Sequence, residues 1–161
     1  NALREYPQTV NHNDLWPPNL FSVDTPDGAE RSIAIDLSWI SRGALGQDLA
    51  SLVMDTIYEF HRPLAELERL EALVLQEYLR GLRSQGWSGD EQSVHLAYRV
   101  ACGLRFGLEA MQLLRNLTRN SSRQGLSGTY NRPLEDVARD AGAVVRYALR
   151  LGSQAVAALG R

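Results

Sequence analysis

The sequence predicts a mainly α-helical protein with a small β-hairpin, folded as a single domain over residues 1–161. Short β-prone runs around a Pro- and Gly-containing turn occupy only the first forty residues, and apolar residues recur at helical spacing through most of the rest. The length suits one domain with a buried core. We therefore expect two parts, residues 1–46 with the hairpin and residues 47–161 as a helical subdomain.

The predicted hairpin consists of two strands, residues 20–23 and 32–35, joined by a turn that reads Asp-Thr-Pro-Asp-Gly. Pro and Gly supply the backbone angles that such a turn requires. Asn19 stands just before the first strand, and Asp36 stands just after the second. Because the two ends of an antiparallel pair lie at one edge, the hairpin is expected to bring Asn19 and Asp36 together.

Four helices are predicted after the hairpin. Each has an apolar face at helical spacing, and they cover residues 47–60, 65–82, about 90–117, and the chain from Pro133 onward. Ser88 and Glu91 have the spacing of a capping box at the start of the third helix. Its predicted apolar face comprises Ala97, Ala101, Leu104, Leu108 and Met111. Residues 120–131 are expected to be a loop, and Gly152-Ser153 an interruption of the last helix.

Composition excludes several classes of protein. The chain is 44% apolar and 22% charged with a net charge of −2, so it has no basic footprint for nucleic acid. No run is long and uncharged enough to span a membrane. Cys102 is the single cysteine and lies in an apolar helical pattern, which predicts a buried thiol and excludes a disulfide framework within one chain. We expect a cytoplasmic protein.

The chemistry is concentrated in residues 12–19, which read His-Asn-Asp-Leu-Trp-Pro-Pro-Asn. Asp14 stands five residues before Asn19, and Asp36 ends the apolar run Ile-Ala-Ile. Phosphoryl transfer needs a carboxylate to take a hydroxyl proton, and an amide oxygen with a second carboxylate to hold magnesium. The pattern therefore predicts Asp14 as general base and Asn19 and Asp36 as magnesium ligands. The ordinary alternatives are a surface-loop Asp, a turn Asn and a strand-end Asp.

Two further residues are predicted to support this site. His12 is expected to hydrogen-bond to the backbone and fix the loop that aims Asp14. Asp48 follows the turn after Gly43 and begins a helix. It is expected either to cap that helix and favour its dipole or to brace the catalytic loop.

The chain contains no lysine, since all 17 basic residues are arginine, and it has no G-x-G-x-x-G run. A kinase normally holds the nucleotide phosphates with a lysine and covers them with a glycine-rich loop. We therefore expect one lobe of a larger enzyme, whose N-terminal nucleotide-binding lobe is missing from this sequence. The alternative is a natural small protein that never had that lobe.

These motifs resemble the C-terminal lobe of the aminoglycoside phosphotransferase and choline kinase-like family, which has the protein-kinase-like fold. The family reads H-G-D-x-x-x-x-N, then I-D, then G-x-D-L-A. The matching stretches here are residues 12–21, 34–36 and 46–50, within a third of the chain. Asn13 replaces the commonest glycine, and Leu37 stands where an aromatic residue often follows the aspartate.

The resemblance implies that Asp14 is the catalytic base, that Asn19 and Asp36 bind magnesium, and that Asp48 supports the site. It also implies an ATP- and magnesium-dependent kinase that phosphorylates a hydroxyl of an aminoglycoside- or choline-like acceptor. The helices after Gln47 would form the acceptor pocket, with Asp55 and Glu59 either attracting a cationic acceptor or forming a solvated helix face. The isolated chain is expected to be inactive. The alternative function is a non-catalytic binding or regulatory module of the same fold.

Overall fold

A computed structural model describes residues 2–28, 30–119, 125 and 127–160. The described chain is mainly helical and contains two small two-stranded antiparallel sheets. The predicted mainly α class with a small hairpin is thereby confirmed. Within the described part of the chain, no helix combines the length and the apolar character needed to cross a membrane.

Four strands lie in the N-terminal part, β1 (Gln8–Asn11), β2 (Leu20–Asp24), β3 (Glu30–Ala34) and β4 (Ser41–Ala44). Strands β2 and β3 form the predicted hairpin, and Gly28 occupies the left-handed region of its turn at φ 77°. Strand β1 pairs antiparallel with β4, so that Asn11 lies opposite Ser41. The loop from residue 12 to residue 19 is thus held between two sheets.

The helical part contains α1 (residues 49–58), α2 (Leu67–Ser84), α3 (Glu91–Thr118) and α4 (Leu134–Leu159). Helix α1 includes a π-helical turn, Ser51–Asp55, a form that is rare and often found at functional sites. Short 3₁₀ turns flank these elements at Ala2–Glu5, Pro17–Asn19, Leu37–Trp39 and Leu64–Glu66. The predicted break at Pro63 is confirmed, since α2 begins after it.

The core lies where α1, α3 and α4 meet. Cys102 is fully buried there, as its apolar surroundings in the sequence predicted. The other central core side chains are Leu49, Val53, Met54, Ile57, Tyr98, Phe106, Val144, Ala148 and Leu151.

Three local predictions were wrong. Asp90 caps α3, because its carboxylate accepts the Gln92 N–H at 3.0 Å, whereas Ser88 lies two residues too early. Helix α4 continues through Gly152 without interruption. Residues 125 and 127–130 are helical within the segment predicted to be a loop, and its residues 120–124 and 126 lie outside the described residues.

The predicted apolar face of α3 was also largely wrong. Leu104, Leu108 and Met111 are 65–70% exposed. The helix instead buries Tyr98, Cys102 and Phe106, which repeat every four residues. Two sides of α3 are apolar, so periodicity alone did not show which of them faces the core.

Helices α4 and α3 pack closely where Gly152 contacts Gly103. A Cβ atom on Gly152 would lie 2.7 Å from the Cα of Gly103. We expect Gly152→Ala to lower the free energy of unfolding by about 2 kcal/mol through overpacking, measured by urea denaturation. Gly81→Ala in α2 is the matched control, because no heavy atom lies within 4 Å of its Cβ position. That change should stabilise by about 0.5 kcal/mol through helix propensity. Equal stability of the two variants would contradict the close contact.

Candidate functional site

Asp14 and Asn19 contact each other at the centre of the candidate site. The 3₁₀ turn Pro17–Asn19 folds the chain back, with the Asn19 N–H donating to the Trp16 carbonyl at 2.9 Å. The Asn19 amide nitrogen Nδ2 then donates to the Asp14 carboxylate oxygen Oδ2 and to the Asp14 carbonyl, both at 2.9 Å. Both amide protons are used by Asp14, which leaves the Asn19 oxygen Oδ1 as an acceptor for another ligand.

Asp36 lies at the same edge, as the hairpin predicted. The Ile35 N–H donates to the Asn19 carbonyl at 3.0 Å, so the residue before Asp36 is bonded directly to Asn19. Asp36 takes a left-handed backbone at φ 57°, and its carboxylate accepts hydrogen bonds from the hydroxyl and the N–H of Ser38. The Ser38 hydroxyl, and next its N–H, hold the pKa of Asp36 below its ordinary value. The group is therefore an exposed anion at neutral pH.

His12 ties the two halves of the site together. Its Nε2 lies 2.8 Å from the Ile35 carbonyl, and its Nδ1 accepts the Asp14 N–H at 3.3 Å. These two contacts assign the neutral tautomer with the proton on Nε2. The ring therefore contacts the backbone on both sides, at Ile35 and at Asp14.

Asp48 holds the loop from the helical side. Its carboxylate accepts the His12 N–H at 2.7 Å and the Asn13 N–H at 2.6 Å. Of the two roles considered for Asp48, the geometry is that of a brace on the loop. Each of its two carboxylate oxygens accepts one N–H of the loop.

Asn13 holds the loop from the strand side, which the sequence did not indicate. It adopts a left-handed backbone at φ 64°, a conformation that asparagine tolerates better than most residues. Its Nδ2 lies 2.7 Å from the Trp39 carbonyl and 2.9 Å from the Ser41 hydroxyl. The side chain thus bonds the loop to β4 and its approach, which a glycine at this position would not do.

Arg105 is a second residue that the sequence analysis missed. It reaches the site from α3, where Nη1 donates to the Asn13 carbonyl at 3.2 Å and Nη2 lies 3.6 Å from the Asp14 oxygen Oδ1. The same Nη2 lies 2.7 Å from the Asp55 oxygen Oδ2. No sequence signal distinguishes Arg105 from the other arginines, because its partners are distant along the chain.

The structure corrects the interpretation of Asp55 and Glu59. Asp55 is only 6% exposed and is paired with Arg105, so it is neither solvated nor open to a cationic acceptor. Burial raises its pKa to about 6, although the Arg105 charge opposes that rise. Glu59 is half-buried and accepts the Tyr130 hydroxyl at 2.8 Å. Neither residue forms the solvated helix face that was the other expectation.

The oxygen donors suit a hard divalent cation such as magnesium. Magnesium is commonly bound by one or two protein carboxylates together with phosphate oxygens and water. The Asn19 amide oxygen and the Asp36 carboxylate are oxygen donors of this type. Among residues 2–28, 30–119, 125 and 127–160, no cluster of three or more His, Cys, Asp or Glu side chains is placed to hold a metal.

Comparison with known proteins adds no family. The chain matches no protein-family model, no curated protein and no solved structure. The site is therefore interpreted from its own geometry and from the motifs that form it.

Proposed function

We propose that this chain is the catalytic lobe of an ATP- and magnesium-dependent small-molecule kinase with the protein-kinase-like fold. The acceptor is a hydroxyl of an aminoglycoside- or choline-like alcohol. The observation that carries the proposal is the hydrogen bond between Asn19 and Asp14, together with the bond from the N–H of Ile35, the residue before Asp36, to the Asn19 carbonyl. The backbone at Asp36 thus lies beside Asn19, and Asn19 in turn contacts Asp14, which supports a common site for the three motif residues.

In this proposal Asp14 accepts the proton of the acceptor hydroxyl as the oxygen attacks the γ-phosphorus of ATP; the bond from that phosphorus to the β–γ bridging oxygen breaks, and ADP leaves. Asn19 and Asp36 hold magnesium through their side-chain oxygens. When bound, the cation offsets the negative charge on the phosphate oxygens. The Asn19 amide nitrogen also donates to Asp14, so the side chain that would hold the metal is bonded to the proposed base.

We expect a separate nucleotide-binding lobe of the same protein to hold the nucleotide phosphates, since the lysine that kinases normally use for this is not in the chain. The hairpin supports this arrangement. Phe21 and Ile33 lie opposite each other, and Val23 and Ile35 share their face by the two-residue period of a strand. All four side chains are 41–51% exposed. We expect the nucleotide lobe to cover this apolar face, and the isolated chain to have little or no kinase activity.

A cation-binding experiment tests the proposed metal site without requiring activity. Mn²⁺ replaces Mg²⁺ and is followed by electron paramagnetic resonance during titration of the chain. Asp36→Asn is expected to weaken Mn²⁺ binding about tenfold or more, because a carboxylate ligand loses its charge.

The matched control is Asp24→Asn, which removes an exposed carboxylate at the far end of the same hairpin. It should leave Mn²⁺ affinity unchanged. Equal Mn²⁺ affinity of wild type and Asp36→Asn would contradict the proposed metal site and would favour a non-catalytic module.

A further inference from the structure

The Asp14 carboxylate lies between two side chains from different parts of the fold. Asn19 donates to its Oδ2 at 2.9 Å, and Arg105 lies 3.6 Å from its Oδ1. Asn19 comes from the same loop as Asp14, whereas Arg105 comes from α3 in the helical subdomain. The carboxylate thus has a hydrogen-bond donor from its own loop on one side and, at ion-pair distance on the other, a guanidinium from a distant part of the chain.

The guanidinium of Arg105 is itself fixed by two further contacts. Nη1 donates to the Asn13 carbonyl at 3.2 Å, and Nη2 lies 2.7 Å from the Asp55 carboxylate. Asp55 is 6% exposed and ends the π-helical turn of α1. A planar guanidinium presents its N–H groups in a rigid fork, so contacts at separate points determine its orientation. Asp55 is therefore the buried anchor of Arg105.

We propose that Arg105 is a positioning residue that orients the Asp14 carboxylate, with Asp55 as its anchor. The orientation is a property of the folded chain. Its importance for catalysis rests on the proposed role of Asp14 as general base.

This arrangement matches what a general base requires. A fixed direction keeps a carboxylate oxygen aimed at the hydroxyl proton. When Asp55 is ionised, the carboxylates of Asp14 and Asp55 and the guanidinium of Arg105 together carry one net negative charge. This net charge attracts a cationic amino alcohol. At 3.6 Å and with both side chains partly exposed, the Arg105–Asp14 pair contributes little to stability.

The side-chain rotamer of Asp14 reports the proposed role directly. Nuclear magnetic resonance measures this rotamer through the three-bond couplings to the Asp14 Cβ protons. The order parameter of the Asp14 N–H reports the motion of the backbone at the same residue. Wild type should show one rotamer. Arg105→Gln should give averaged couplings and an order parameter reduced from about 0.85 toward 0.6. Arg105→Lys, which retains the charge but loses the fork, should fall between them.

Two further variants control for general disturbance. Arg115→Gln removes an exposed arginine later in the same helix and should leave the Asp14 couplings unchanged. Arg105→Gln leaves Asp55 buried without its partner, which risks unfolding. The double variant Arg105→Gln/Asp55→Asn removes both charges, and in it the Asp14 rotamers should also average. A single Asp14 rotamer retained in the folded double variant would overturn the proposal.

The outcome separates this inference from the proposed function. Arg105→Gln could average the Asp14 rotamers while phosphoryl transfer proves independent of Asp14. That pair of results would leave the positioning role of Arg105 intact and would remove the kinase assignment. In a form of the protein that transfers phosphate, Arg105→Gln should lower kcat at least about tenfold with KM within about twofold, because only orientation of the base is lost. An unchanged kcat in that form would overturn the catalytic importance of Arg105.

Discussion

Replacing Asp14 with asparagine is expected to lower phosphoryl transfer about a thousand-fold in any form of the protein that carries it out. The substitution keeps the size of the side chain and removes the carboxylate that we propose as the acceptor of the hydroxyl proton. General base catalysis by a positioned side chain contributes about 10²- to 10⁴-fold. The loss should fall on kcat rather than on KM, because the base acts in the transition state.

The measurement is ATP-dependent phosphorylation of an amino alcohol or aminoglycoside acceptor under saturating substrate. Asp24→Asn serves as the control, since Asp24 is an exposed carboxylate outside the site. Urea denaturation of both variants checks that each retains its fold. Full activity of a folded Asp14→Asn variant would remove Asp14 from the mechanism and with it the main support for a kinase.

The hairpin and the residues at its edge were predictable because their signals are local. A Pro- and Gly-containing turn between two β-prone runs determines which residues lie at the open end. Asn19 and Asp36 occupy that end, and the Ile35 N–H bond to Asn19 shows the expected proximity. The position of Asp14 beside Asn19 follows from their separation of five residues, which a 3₁₀ turn bridges. Nothing in these steps requires contacts between distant parts of the chain.

The rest of the site depends on contacts that no local pattern encodes. Arg105 reaches Asn13 across a separation of 92 residues, so its role appears only when α3 packs behind the loop. The pairing of β1 with β4 joins segments on either side of the hairpin, and each strand is only four residues long. Asp55 has the spacing of an exposed helical residue. In the structure it is instead buried, at the end of the π-helical turn and in an ion pair with Arg105.

Replacing Asp48 with alanine is expected to lower the free energy of unfolding by about 3 kcal/mol. The carboxylate accepts the N–H groups of His12 and Asn13 at 2.7 and 2.6 Å, and both lose their partner. A hydrogen bond to a charged group contributes about 1.5–3 kcal/mol, and a donor left without a partner adds its own desolvation cost. Urea denaturation measures the loss, and faster amide hydrogen exchange at the two N–H groups locates it.

Asp90→Ala is the matched control for Asp48→Ala, because Asp90 also accepts backbone hydrogen bonds at a helix start. Its carboxylate caps α3 through the Gln92 N–H at 3.0 Å and is exposed, so its loss should cost about 1 kcal/mol. A brace on the catalytic loop thus predicts a larger loss for Asp48→Ala than for Asp90→Ala. It also predicts that hydrogen exchange accelerates at Asn13 only in Asp48→Ala. If the two variants lose equal stability and Asn13 stays protected, Asp48 is an ordinary helix-start carboxylate, and the loop that aims Asp14 is held by Asn13, His12 and Arg105 alone.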